Sequence, residues 1–197
     1  MSPLRVVAGG VLLVALLGSA AVADVIEGTP GPDTLVGTPE DDELYGRAGD
    51  DLLRGLGGRD LLLGQPGADR LVGNADHDEL RGGADDDDAS GGRSGDTVRG
   101  GPGDDQLAGD SGKDKVYGGD GDDVLVGGPG DDTLDPGAGS DRVDAGAGND
   151  TVMMFVDETP DVIDCGPGHE DTVSWYGAPE DIDTVLRNCE YLAVAIP

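Results

Sequence analysis

Gly118-Gly119-Asp120-Gly121-Asp122-Asp123-Val124-Leu125-Val126 decides how this chain folds. Its first six residues are glycine and aspartate, which turn tightly and tolerate positive φ. Its last three form a short apolar β segment with alternating side chains, so Leu125 points one way and Val124 and Val126 the other. A turn and strand followed by a second turn and strand make a flattened coil of 18 residues, two nonapeptides long. Stacked coils lay these strands into two parallel sheets whose inward aliphatic side chains touch.

The same register runs without a slip from Gly28 to Met153, fourteen repeats in all. The sixth position is always aspartate: Asp33, Asp42, Asp51, Asp60, Asp69, Asp78, Asp87, Asp96, Asp105, Asp114, Asp123, Asp132, Asp141 and Asp150. The eighth is aliphatic from Leu35 to Val152, with Ala89 the one undersized residue. Glycine opens twelve repeats and recurs at the fourth position in ten. Alternate repeats stack, so Asp105, Asp123 and Asp141 form one ladder and Asp114, Asp132 and Asp150 the other, with rungs about 4.8 Å apart. Two bare carboxylates at that spacing repel by about 1 kcal/mol in water and by a few kcal/mol at a protein-like effective dielectric. Repeated up both ladders, the repulsion exceeds the stability of an ordinary domain. The ladders therefore require cations. Calcium suits them, because it takes roughly six to eight oxygens in flexible geometry and a glycine-rich turn exposes carbonyls beside the carboxylate. Magnesium, with a stricter octahedron and reluctant dehydration, suits such a cage poorly. One ion between each turn and the next on the same side gives about twelve sites, enough to offset most of the chain's negative charge.

Gly100–Ala108, Gly118–Val126 and Gly127–Asp135 match G-G-x-G-x-D-x-U-x at every fixed position. The repeat region resembles the nonapeptides of the RTX, or haemolysin-type calcium-binding, proteins. That resemblance implies a right-handed parallel β-roll with Ca2+ in its turns, largely disordered without calcium and folding on export into calcium-rich surroundings. The expected fold is all-β: a β-roll of about seven 18-residue coils over residues 24–153, then degenerate repeats and an irregular, disulfide-pinned cap over residues 154–197.

The 197 residues include 42 acidic and 12 basic ones, for a net charge of −30. Nucleic acid and anionic membranes repel such a surface. Aromatic residues are few, and Phe155, Trp175, Tyr176 and Tyr191 all follow the repeats. At the other end, Arg5, the apolar run from Val6 to Leu17 and Ala21-Val22-Ala23 have the pattern of a secretory signal peptide over residues 1–23, so the mature chain is expected to begin at Asp24. The alternative is an uncleaved anchor, although this run falls slightly short of the roughly 20 apolar residues of a span and contains Gly9 and Gly10. Secretion into an oxidising compartment makes a Cys165–Cys189 disulfide the expectation, with a pair of metal-binding thiols as the alternative.

The repeats are not equivalent. Thr29, Thr38, Arg47, Leu56, Gln65 and Asn74 replace glycine at the second position of the first six, and Asp76, Asp85 and Ser94 replace it at the fourth position of three in the middle. Together with Ala89, these make Gly73–Arg99 the expected loosest part. The run Asp85 to Asp88 reads as a solvated loop or an extra acidic site. Gly109-Asp110-Ser111-Gly112 spells the turn around a serine nucleophile, but it falls within a repeat, and the only histidines, His77 and His169, lie in a turn and in the tail. A triad needs a histidine oriented on the serine. Neither an H-E-x-x-H helix nor a G-x-S-x-G elbow occurs. The sequence thus points to an extracellular, non-enzymatic calcium-binding repeat protein. A calcium-dependent adhesion or surface-interaction role is the main alternative and a calcium-dependent hydrolase a further one. An adhesive face would want regular outward residues, whereas the outward seventh positions of one ladder read Glu43, Leu61, Glu79, Thr97, Lys115, Thr133 and Thr151.

Overall fold

In the computed structural model the described residues are 24–155, 157, 159–168, 170–176 and 185–195, with the backbone of 5–7 and 13–14. The rest of the proposed leader lies outside them, as does His169. The chain forms a parallel β-solenoid whose two sheets, of 11 and 10 strands, each take every second strand of the sequence. Arg5–Val7 and Leu13–Val14 pair with Val25–Glu27 and with Leu35 and Val36 at its N-terminal end. Within the repeats the register is the expected 18 residues: Gln106 lies beside Val124, Leu107 beside Leu125 and Ala108 beside Val126.

The strands are longer than the three residues read from the repeat. From Leu61 to Ala147 nearly all run to six, as in Lys115–Asp120 and Val124–Pro129. The reason is that the residues after the apolar triplet also pair between coils, Gly119 with Gly137 and Asp120 with Ala138. Val25–Glu27, Thr34–Val36 and Glu43–Tyr45, which lead into the first three turns, stop at three residues.

The core is two facing rows of eighth-position side chains, from Leu35 to Val152, each almost wholly buried, while Val124 and Val126 on either side of Leu125 are 38% exposed. Fully burying one such aliphatic contributes about 1.5 to 3 kcal/mol. Ala89 sits in the row between Leu71 and Leu107 without interrupting either pairing.

After Met153 the stack continues on uneven loops. Val162–Asp164 pairs with Arg142–Asp144 and then with Val185–Arg187, and Thr172–Tyr176 pairs with Thr151–Phe155 and then with Tyr191–Ala195. The terminal unit is therefore made of further coils whose irregularity is one of period. Over Pro179 to Leu192, where the sequence left a short helix or a coil open, the described residues are coil and strand. Met154, Ile163, Val173 and Trp175 extend the core, and the Cys165–Cys189 disulfide ties successive coils together.

Candidate metal centre

From the third repeat to the fourteenth, each turn is set by two left-handed residues, at the second and fourth positions. In the best-matched unit these are Gly119 and Gly121, both at φ 139°. Where glycine is missing the backbone keeps the conformation: Arg47, Leu56, Gln65, Asn74 and Asp110 at the second position and Asp76, Asp85 and Ser94 at the fourth all have φ between 68° and 87°. Left-handed backbone costs an L-residue about 1 to 2 kcal/mol. The degenerate repeats thus retain the turn at a cost in stability.

This turn folds the sixth-position aspartate inward. All fourteen side chains from Asp33 to Asp150 are buried, with at most 6% of any residue exposed. From Asp42 onward each Oδ1 reaches back along the axis to the coil before, whereas Asp33 Oδ1 has no partner among the described residues: the Asp105 N–H donates to Asp123 Oδ1 at 2.8 Å, and the Asp114 N–H to Asp132 Oδ1 at 2.8 Å. The same bond recurs up both ladders. The aspartate is thus a backbone clasp between coils as well as a candidate ligand.

Oδ2 has a different environment. From Asp51 to Asp150, and at Asp171, it is buried with no hydrogen-bond partner among the described residues. An unsatisfied buried acceptor costs about 1 to 3 kcal/mol, and more when charged. From Asp51 to Asp132 the oxygen faces the glycine that opens its own repeat; Pro136 and Ala145 stand at that position for Asp141 and Asp150. A Cβ built on Gly91 would lie 2.7 Å from Asp96 Oδ2 and 2.8 Å from the Gly109 carbonyl oxygen of the next coil. Gly118 has the same pair of neighbours in Asp123 Oδ2 and the Pro136 carbonyl. A carboxylate oxygen and a carbonyl from successive coils therefore converge on a point that glycine leaves empty. Two oxygens of this type, repeated along the axis, suit a hard cation. No three His, Cys, Asp or Glu side chains converge among the described residues, so a bound ion must take most of its ligands from the backbone.

Burial is the main cause of a raised pKa in the ladders from Asp51 to Asp150. It is opposed by the backbone N–H at Oδ1 and reinforced by neighbouring carboxylates. Asp60 and Asp87 are pushed up to about 8. Asp69, Asp78, Asp96 and Asp123 rise to about 7. Asp51, Asp105, Asp114, Asp132, Asp141 and Asp150 rise to about 6.

Two groups escaped the reading of the sequence. Asp161 and Asp171 continue the ladders beyond the strict period, accepting the Asp141 and Asp150 N–H groups at 2.9 Å, and Glu190 accepts the Asp171 N–H at 3.0 Å. The triplets Asp161-Val162-Ile163 and Asp171-Thr172-Val173 signalled the first two. The fifth position forms a second, exposed ladder of opposite direction, in which Asp104 Oδ1 accepts the Asp122 N–H and Asp122 Oδ1 the Ser140 N–H, each at 2.9 Å. His77 belongs to it, with Nδ1 receiving the Gly95 N–H at 3.0 Å.

In the run Asp85 to Asp88 three residues are exposed, as the solvated-loop reading has it, and Asp87 alone is buried. Asp85 holds a left-handed turn, Asp86 accepts the Asp104 N–H, Asp87 is a buried rung and Asp88 pairs with Arg70 at 3.0 Å. The serine-like turn dissolves similarly: Ser111 donates to the Gly92 carbonyl and Asp110 Oδ2 accepts from Ser90.

No curated protein sequence matches the chain. The family profile described as RTX calcium-binding nonapeptide repeat matches it four times, over residues 27–62, 63–98, 90–125 and 117–152. With about two thirds of its length so matched and a parallel β-solenoid built on that register, the chain belongs to the RTX calcium-binding nonapeptide repeat family.

Proposed function

We propose that this is a secreted, non-catalytic calcium-binding protein whose roll folds on, and is held by, Ca2+ between successive turns on each edge. The observation that carries the reading is the row of buried, unpartnered Oδ2 atoms from Asp51 to Asp150, which from Asp51 to Asp132 lie against the opening glycine of their own repeat. Calcium supplies the positive charge that the buried carboxylates lack. The chain supplies the rest: left-handed turns that bring carbonyls inward, glycines that leave room, and Oδ1 clasps that hold each carboxylate in place. The pattern of residues 1–23 supports export, where calcium is plentiful, and the Cys165–Cys189 disulfide suits an oxidising compartment. No helix among the described residues is long and apolar enough to cross a membrane. The outward sheet face is chemically mixed, with Glu79 paired to Arg81 and Arg99, and Arg99 over the Tyr117 ring, so it favours no regular adhesive array.

The test is circular dichroism of the metal-stripped chain during titration with calcium, with magnesium as control. A cooperative gain of β signal is expected at about 0.1 to 1 mM calcium, the range of extracellular modules. A chain equally folded in excess chelator would overturn the coupling of folding to calcium.

A further inference from the structure

The first two ladder rungs differ from all that follow. Asp33 Oδ2 accepts the Thr29 N–H at 2.5 Å and the Thr29 hydroxyl at 2.9 Å. Asp42 Oδ2 accepts the Thr38 N–H at 2.5 Å and the Thr38 hydroxyl at 3.0 Å. These are the oxygens that lie buried and unpartnered from Asp51 onward. The backbone differs in step. Arg47 and Gly49, at the second and fourth positions of the third repeat, are left-handed, and the pattern persists to Gly146 and Gly148. None of Thr29, Gly31, Thr38 and Glu40 has a positive φ. A β-branched side chain is a steric outlier in that region, so threonine at the second position turns its N–H and hydroxyl onto its own aspartate.

We propose that Thr29 and Thr38 take the place of calcium in the first two turns, so that Gly28–Tyr45 forms a metal-free end of the roll and ion binding starts at the turn of Asp51. The inference rests on the calcium reading above and narrows it, removing Asp33 and Asp42 from the ligands expected of the repeat. A cation within bonding distance of either Oδ2 would face two hydrogens already directed at that oxygen. The positive end of the N–H and O–H dipoles does locally what the ion does in later turns. The short strands leading into the first two turns, Val25–Glu27 and Thr34–Val36, agree with this, because turns closed on themselves leave fewer residues to pair between coils.

The sequence also offers a way to undo it. Thr29→Gly turns Gly28-Thr29-Pro30-Gly31-Pro32-Asp33 into G-G-x-G-x-D, and Thr38→Gly with Glu40→Gly does the same for the second repeat. Calcium bound per chain at saturation, measured by equilibrium dialysis and elemental analysis on the full chain, is the readout. The triple variant T29G/T38G/E40G is expected to bind two more ions than the parent, one for each reopened turn. D33N/D42N is expected to bind the parental number, while D105N/D123N, made in turns with orphaned Oδ2 atoms, loses two or more. Asparagine keeps an oxygen for the clasp, so this second comparison stands even where the triple variant fails to fold. The proposal is overturned if D33N/D42N loses as many ions as D105N/D123N, or if a folded triple variant gains none. A parent chain that binds no calcium at all would instead overturn the calcium reading itself.

Discussion

Protons and calcium should be interchangeable in holding this roll together, and the structure sets the pH at which one replaces the other. Burial raises the ladder aspartates from Asp51 to Asp150 from 3.8 to between about 6 and about 8. In the unfolded chain they titrate near 3.8, so between the two values the folded state binds protons that the unfolded state does not. Stability without metal is therefore fully present below about pH 4 and is lost progressively as pH rises from there through the folded values of about 6 to 8. For Asp51, raised to about 6, the displacement is worth up to about 3 kcal/mol. A few such groups together span the net stability of an ordinary domain. Protonation also removes the charge from an oxygen such as Asp96 Oδ2, which is buried without a partner. Far-UV circular dichroism of the metal-stripped chain should accordingly show more β structure at about pH 4 than at about pH 8.5, with a midpoint inside that window. Calcium should reverse the slope, because each ligand must shed its proton to bind metal and the calcium midpoint rises on acidification. Metal-free protein with no more structure at about pH 4 than at about pH 8.5 would refute the account of the buried carboxylates.

The repeat glycines should differ sharply in tolerance. Gly118→Ala places a methyl against Asp123 Oδ2 and the Pro136 carbonyl and should lower both melting temperature and calcium bound, whereas Gly31→Ala, with nothing within 4 Å and no left-handed φ, should melt with the parent. Replacing Cys165 and Cys189 by serine should destabilise the C-terminal coils by about 3 kcal/mol, the loop-closure value for a separation of 24 residues, read as earlier proteolysis after residue 160. Hydrogen exchange in calcium should find Gly73–Arg99 opening first, because Asp76, Asp85 and Ser94 hold left-handed backbone there and Ala89 stands where neighbouring coils place leucine. Truncating a buried leucine to alanine typically costs about 2 to 5 kcal/mol. Uniform protection along the roll would count against that view.

Much of this protein is determined by sequence alone, because a nine-residue period fixes both register and facing. Once Leu125 points inward, every eighth-position residue does, and Asp105, Asp123 and Asp141 must lie one above another. The family, the two ladders and the Cys165–Cys189 pair follow from spacing and composition. Tertiary structure decided what each carboxylate touches. No period distinguishes Asp42, held by Thr38, from Asp60, whose Oδ2 is buried and bare, since the difference lies in the φ of a residue four positions earlier. Nor could sequence divide Asp85, Asp86, Asp87 and Asp88 among a turn, an exposed clasp, a buried rung and an ion pair. That the turns fold both ladders into the interior is likewise decided by the stack. The physical reason is that hydrogen bonds between coils 18 residues apart, and the burial that follows, arise only when the stack exists.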